Sequence, residues 1–558
     1  MKNTVARLFR IFLLSSLWLL VNPPSVAQVG DCAEGTAEAF LDTGNVRARI
    51  FNNGPLFWKG RGLNTYEVPK GSGVHSMFSS HMMIGGLIDG QLHMAASTYG
   101  PYEFWPGPLD EAGNPPSDCS KYDHIWEINN DDFVQFERDG VFSENMLNWP
   151  WHLGAPVVDG DGNPDNYDLQ RGDRPELLGH QTLWWIMNDR GNEHLWSEAN
   201  PIGVEVRASA YAFNFQSEIG DFTFYRYTLI NKNAKPLTDA YFSIWADPDL
   251  GYSSDDYFGS DSLLQLGFVY NGDNLDEGWY EDQPPAIGYT FLRTPVADAD
   301  LIDNNYDGQI DEPNETLGMH AALVFFGSGG PGRDPSTGTH IYNNMQGLWG
   351  HGVPHTYGGL GREFSNSVTR FFFTGDPLTQ SYWTPFRPTP NSESPKPPSD
   401  IRAFVSSGPF TMAPGESKEF LIALVWAQGR NHLDSVRKLK NIVASMQATP
   451  HSYFTTGYQP GLLESPSPEP SFVLGFDQNF PNPFIYETTL RYSLPKTMQV
   501  RLAIYDLLGR EVAVLAEGTQ DAGIYTQEVD GAQLPPGIYY ARIELDHLQF
   551  TRKIVRIP

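Results

Sequence analysis

From Ile202 to Ala210 an apolar residue occupies every second position: Ile202, Val204, Val206, Ala208 and Ala210 alternate with Glu205, Arg207 and Ser209. Successive side chains of an extended strand point to opposite faces, so this spacing predicts a half-buried β-strand. Similar segments follow. Phe222 to Ile230 and Ala240 to Ala246 read as strands joined by a turn at Asn231-Lys-Asn-Ala-Lys-Pro236. Phe420 to Trp426 is a near-continuous apolar run and reads as a buried strand. Composition agrees, because 14 Trp, 26 Tyr and 34 Phe are interrupted by 54 Gly and 43 Pro, the mark of aromatic strands broken at turns. The expected fold is mainly β, with a large β-sandwich-type region over residues 28–455, in one piece or two. One clear helix is expected at 431–446, where Leu433, Val436, Leu439, Ile442 and Val443 share a face. The Pro-rich stretch Pro385 to Pro398 reads as a long loop or subdomain linker.

The first 27 residues have the layout of a signal peptide. Lys2, Arg7 and Arg10 precede an apolar run from Ile11 to Val21, and Ser25 and Ala27 supply small residues before a cleavage point after Ala27. The run is short for a membrane span, and no later segment approaches the length needed to cross a bilayer. A net charge of −30 would repel phosphate backbones, so nucleic acid is not an expected partner, while divalent cations become plausible ligands. The two cysteines, Cys32 and Cys119, either form one disulfide in an exported chain or are two unrelated thiols.

Residues 456–471 contain the Pro/Ser-rich linker Ser465-Pro-Ser-Pro-Glu-Pro470. After it come short strands with turn signals at Leu508-Gly509, Asp521-Ala-Gly523 and Pro535-Pro-Gly537, the pattern of a small Ig-like sandwich. Five blocks occur in order: NFPNPF (479–484), TTLRYSLP (488–495), VRLAIYDLLGREVAVL (500–515), AGIY (522–525) and LPPGIYYARI (534–543), followed by TRKIVRIP. Residues 472–558 therefore resemble the type A sorting domain of the type IX secretion system. That resemblance implies handling by the type IX machinery and passage through the outer membrane of a Gram-negative bacterium of the Bacteroidota type. It also implies removal of the domain and then release or attachment to surface polysaccharide.

Three acidic loops are candidate ion sites. In Asp303-Asn-Asn-Tyr-Asp-Gly-Gln-Ile-Asp-Glu312, the side chains of Asp303, Asn305, Asp307 and Asp311 and the Gln309 carbonyl fall at calcium-loop spacing around Gly308. Alternating Asp and Asn about one glycine can converge the six to eight oxygens that Ca²⁺ takes. Asn314 stands where a bidentate Glu is usual, and Pro313 disfavours an exiting helix. The loop is thus more similar to helix-free thrombospondin type 3 and dockerin-like loops than to a sensor EF-hand. A structural Ca²⁺ is the expectation, against an Asx-rich turn that binds nothing. Asp159, Asp161, Asn163 and Asp165 alternate in the same way, with ion site and turn both open. In the third loop Asp247, Asp249, Asp255, Asp256 and Asp261 either share an ion or cap turns.

Catalytic motifs are missing. There is no HExxH pair, and His351-Gly-Val-Pro-His355 has the spacing but not the helix. There is no GxSxG elbow, and Gly327-Ser-Gly-Gly-Pro-Gly332 lacks the Lys-Ser/Thr of a phosphate loop. Tyr102-Glu-Phe-Trp105, Trp149-Pro-Trp151 and Trp184-Trp185 either stack on sugars or fill a β core. The blocks GHQTLWWIMND (179–189), ADPDLGYSSDDYFGSD (246–261), YNGDN (270–274) and SSGPFTMAPGESKEF (406–420) resemble a group of large exported proteins with the same sorting domain, which transfers no catalytic residue. The function expected is that of an exported structural or binding protein with Ca²⁺-stabilised loops. The alternative is a carbohydrate-active protein, either a glycan binder or a glycoside hydrolase.

Overall fold

A computed structural model describes residues 30–60, 65–214, 221–297, 314–327, 332–362, 367–380, 383–389 and 395–448. In the C-terminal part it describes 475–476, 479, 484, 487–494, 497–521, 523–545 and 548–556. The predicted leader over 1–27 and the linker over 456–471 lie outside the described residues.

Among the described residues, two nine-stranded sheets make up most of the central region. The spine of the first runs Glu38–Leu41, Arg47–Phe51, Pro55–Leu56, Ser79–Ile88, Leu237–Asp247, Arg402–Met412, Ala321–Phe325. The spine of the second runs Asp256–Asp261, Leu266–Asn271, Ala286–Arg293, Ser417–Ala427, Phe222–Asn231, Val204–Ala212, Gln181–Asn188, Trp105–Pro106. Strands in both sheets pair antiparallel. The facing sides share one core. Phe242 of the first sheet stacks on Phe420 of the second with centroids 4.4 Å apart, and Tyr227, Trp245, Ile422 and Leu424 lie in the same cluster.

The buried run at Phe420 shows how one strand serves two cores. Phe420, Ile422, Leu424 and Trp426 enter the space between the sheets. Leu421, Ala423, Val425 and Ala427 point the other way, where the helix His432–Ala448 covers them with Val436, Leu439, Val443 and Met446. The helical stripe read from sequence is this packed face, and the strand has no polar side because a second layer lies over it.

Gln181–Asn188 behaves alike. Leu183, Trp185 and Met187 join the main core. Trp184 and Ile186 face a side cluster with Ile128, Phe133, Trp149 and Leu177. The half-buried reading of the neighbouring strand Val204–Ala212 needs correcting for the same reason. Its polar face is also covered: Glu205 is 1% exposed, accepting from the Leu109 N–H at 3.0 Å and from Arg207 Nε at 3.0 Å. A buried carboxylate is tolerated there because both its oxygens have donors.

Cys32 and Cys119 are joined as a disulfide, with Cα atoms 5.6 Å apart. The described C-terminal strands form one sheet of three (Gly475–Phe476, Glu487–Leu494, Gly523–Asp530) and one of four (Glu511–Gln520, Met498–Tyr505, Gly537–Leu545, Leu548–Arg556). Leu490, Tyr492, Leu494, Val500, Leu502 and Ile504, the alternating residues of the sequence, fill a separate core between them.

Candidate functional site

The side cluster positions the second acidic loop. The helix Asn130–Asp139 starts with a reciprocal capping box between Asn129 and Asp132. It packs through Phe133 against Trp149, whose Nε1–H donates to the Pro156 carbonyl at 3.0 Å. From this support project the two-residue strands Val157–Val158 and Arg174–Pro175, paired antiparallel with Val158 opposite Arg174. Asp159 leaves the first strand and Asp173 enters the second, so the hairpin brings the two ends of the loop together.

Asp159, Asp161 and Asp173 each place a carboxylate oxygen within 4.8 Å of the others. Oxygens about 2.3–2.6 Å from a shared Ca²⁺ would lie at most about 5 Å apart, so the spacing is compatible with a common ion. Backbone donors fix the group. Asp159 Oδ1 accepts from the N–H groups of Asp161, Gly162 and Asn163 at 3.0, 2.7 and 3.2 Å. Asp173 accepts from Asp168 N–H at 2.6 Å and from Gly160 N–H at 2.9 Å. Those donations, Asp168 first, hold the Asp173 carboxyl below the usual carboxylate range. The largely exposed Arg171 guanidinium lies 3.6 Å from Asp161 Oδ2. The Asn163 side chain accepts from the Asp165 N–H at 3.4 Å, and Asp165 is not among the three converging carboxylates. Asp173 escaped the sequence reading because two-residue strands leave no periodicity that would tie it to Asp159. Asp303, Asn305, Asp307, Gln309 and Asp311 lie outside the described residues.

The third loop forms a more buried cluster. Asp247, Asp249 and Asp400 converge within 4.8 Å, with the largely buried Arg402 guanidinium among them. Arg402 Nε is 3.1 Å from Asp247 Oδ1 and 2.8 Å from the Tyr99 hydroxyl, and Arg402 also pairs with Asp400. Tyr99 in turn donates to Asp247 Oδ2 at 2.6 Å. Burial pushes the Asp247 carboxyl up to about 8 and Asp249 to about 6. Other acids of the loop cap turns: Asp256 accepts from Leu250 N–H at 3.3 Å, and Asp261 accepts from Leu264 N–H at 3.2 Å.

The aromatic pairs belong mostly to cores. Tyr102, Phe104, Trp105, Trp149, Trp184 and Trp185 are buried, and Trp151 is 37% exposed. His355 is buried against Trp349 and Phe372, with centroids 4.2 and 4.9 Å away, and burial pushes its imidazole down to about 3. It sits in a two-residue strand, not on a helix facing His351.

Residues 478–557 match the family described as the secretion system C-terminal sorting domain. The chain therefore carries a type IX secretion sorting domain, which supports export to the cell surface or the medium. No curated protein matches the chain. A solved polysaccharide lyase aligns at 10% identity with a TM-score of 0.18, over 63% of this chain and 34% of its own. This chain thus spans about a third of that protein's length. No helix among the described residues is long and apolar enough to cross a membrane.

Proposed function

We propose that the central region is a structural or binding domain displayed outside the cell, with Ca²⁺ fixing its acidic loops. The convergence of Asp159, Asp161 and Asp173 at the mouth of a hairpin carries this reading. Ca²⁺ neutralises three carboxylates whose mutual repulsion the exposed Arg171 beside Asp161 offsets weakly, and it ties the hairpin ends where the chain has only two-residue strands to do so. The Asp303–Asp311 loop is the second proposed site, on the alternation of its oxygen ligands around Gly308. The leader is proposed to be cleaved after Ala27.

Calorimetric titration of the chelator-treated secreted protein with Ca²⁺ tests the sites separately. Wild type should take up the ion saturably, Asp161→Ala should lose one class of site, and Asp307→Ala should lose the other. Absence of Ca²⁺ heat in the wild type would sink the proposal. Export is tested by truncation before Ser471, which should strand the protein in the periplasm.

A further inference from the structure

A cavity of 440 Å³ opens beside the strand Ala321–Phe325 and the helix Gly338–Met345. Arg333, His340, His351 and Arg362 line it, Trp349 forms an apolar wall, and Asp334 is the acid among its described lining residues. This balance inverts that of the molecule, which carries 67 Asp+Glu against 37 Lys+Arg. Asp334 is already engaged: it lies 4.0 Å from Arg402 Nε, and burial raises its carboxyl above the usual range. Neither Arg333 nor Arg362 forms an ion pair with a carboxylate among the described residues, and the Arg362 guanidinium lies over the Trp349 ring at 4.6 Å. Most other arginines of the central region pair with an acid, including Arg47, Arg49, Arg138, Arg171, Arg207, Arg226, Arg293 and Arg402.

His340 adds a directional donor. The Ser336 backbone N–H reaches its Nδ1 at 3.4 Å. A backbone N–H can only donate, so Nδ1 accepts and the neutral ring carries its proton on Nε2. Burial, and then the positive charges of Arg333 and His351, hold the His340 imidazole below its usual range. The Arg333 and Arg362 guanidiniums therefore face a cavity whose acid among the described lining residues is Asp334, held partly neutral by burial.

We infer that this cavity binds a small organic carboxylate of about the size of one sugar ring. Arg333 and Arg362 clamp the carboxylate, and the His340 Nε2–H supplies a further hydrogen bond. Guanidinium groups present planar forks matched to a carboxylate. The volume lies in the range of about 300–1,000 Å³ typical of small-molecule sites and exceeds what a bare inorganic anion fills. The rival account is two basic loops that only offset surface acidity, and it predicts no saturable binding.

Isothermal titration of the full secreted chain with galacturonate, galactose and inorganic sulfate decides between them. Galacturonate should bind saturably, galactose should not, and sulfate should bind far more weakly. Arg333→Gln and Arg362→Gln should each weaken galacturonate about tenfold or more, with Arg362→Lys intermediate. Arg333 is exposed, so Arg333→Gln should leave the melting curve unchanged and separate lost binding from lost folding. The inference is overturned by no saturable galacturonate heat, by equal binding of galactose, by sulfate binding as tightly as galacturonate, or by indifference to both glutamine variants. None of these residues belongs to the Asp159–Asp173 loop, so the outcome is independent of the calcium result.

Discussion

Gly160 shows how narrowly the acidic hairpin is specified at the scale of one residue. A Cβ at this position would meet the Gly172 carbonyl carbon and oxygen at 2.3 Å, backbone against backbone. Nothing flexible can yield, so Gly160→Ala should push the two loop ends apart and part Asp159 from Asp173. The expected result is weaker Ca²⁺ uptake, read by titration, with the far-ultraviolet circular dichroism unchanged. Retained affinity would mean that the two ends need not touch. Asp247 makes a second prediction at this scale. Its carboxyl is raised to about 8 by burial, against about 3.9 in an unfolded chain. Between those values the folded state binds more protons than the unfolded one, so stability from this group is complete below pH of about 4 and declines as pH rises through about 8. Denaturant titrations in chelator should show unfolding free energy falling from pH 5 to pH 8, and Asp247→Asn should flatten the slope. A slope unchanged in the variant would assign the effect elsewhere.

The helix His432–Ala448 makes the clearest case among the elements. Leu439 is fully buried between it and the outer face of the second sheet. Leu439→Ala should therefore cost about 2–5 kcal/mol in urea or guanidinium unfolding, with secondary structure retained. A loss well under 1 kcal/mol would mean that the helix is peripheral to the fold. This element was legible because its apolar residues recur at 3.6-residue spacing, and the strands around Val204 and Phe420 were legible by alternation or unbroken apolarity. The same patterns could not tell which polar residues are covered. Glu205 looks like a solvent-facing residue, and only the arrival of Leu109 from another part of the chain reveals its burial. Site residues were less readable still. Asp159 and Asp161 stand in a recognisable Asx-rich turn, whereas Asp173 is brought to them by tertiary pairing. Arg333, His340, His351 and Arg362 sit in or beside irregular connections, with no common spacing to mark them as neighbours.

For the whole molecule, the disulfide between Cys32 and Cys119 links positions 87 residues apart. Closing a loop of that length in the unfolded chain is worth about 4–5 kcal/mol in the chain-entropy description. The Cys32→Ser, Cys119→Ser double variant should thus lower the denaturation midpoint markedly. An unchanged midpoint would show that the bond leaves the unfolded ensemble unconstrained. The central sandwich also depends on two late strands, consecutive in the chain but placed in different sheets. Arg402–Met412 lies between Leu237–Asp247 and Ala321–Phe325 in the first sheet, and Ser417–Ala427 lies between Phe222–Asn231 and Ala286–Arg293 in the second. A fragment ending at residue 400 lacks an interior strand of each sheet, and it should show no cooperative unfolding transition.

These two late strands also set a clock. Synthesis delivers them after all the strands they pair with, so neither sheet can be completed until most of the chain exists. Contacts between residues so far apart in sequence form slowly. The nascent polypeptide consequently has an interval in which it is long but not yet compact, when a narrow channel can still admit it.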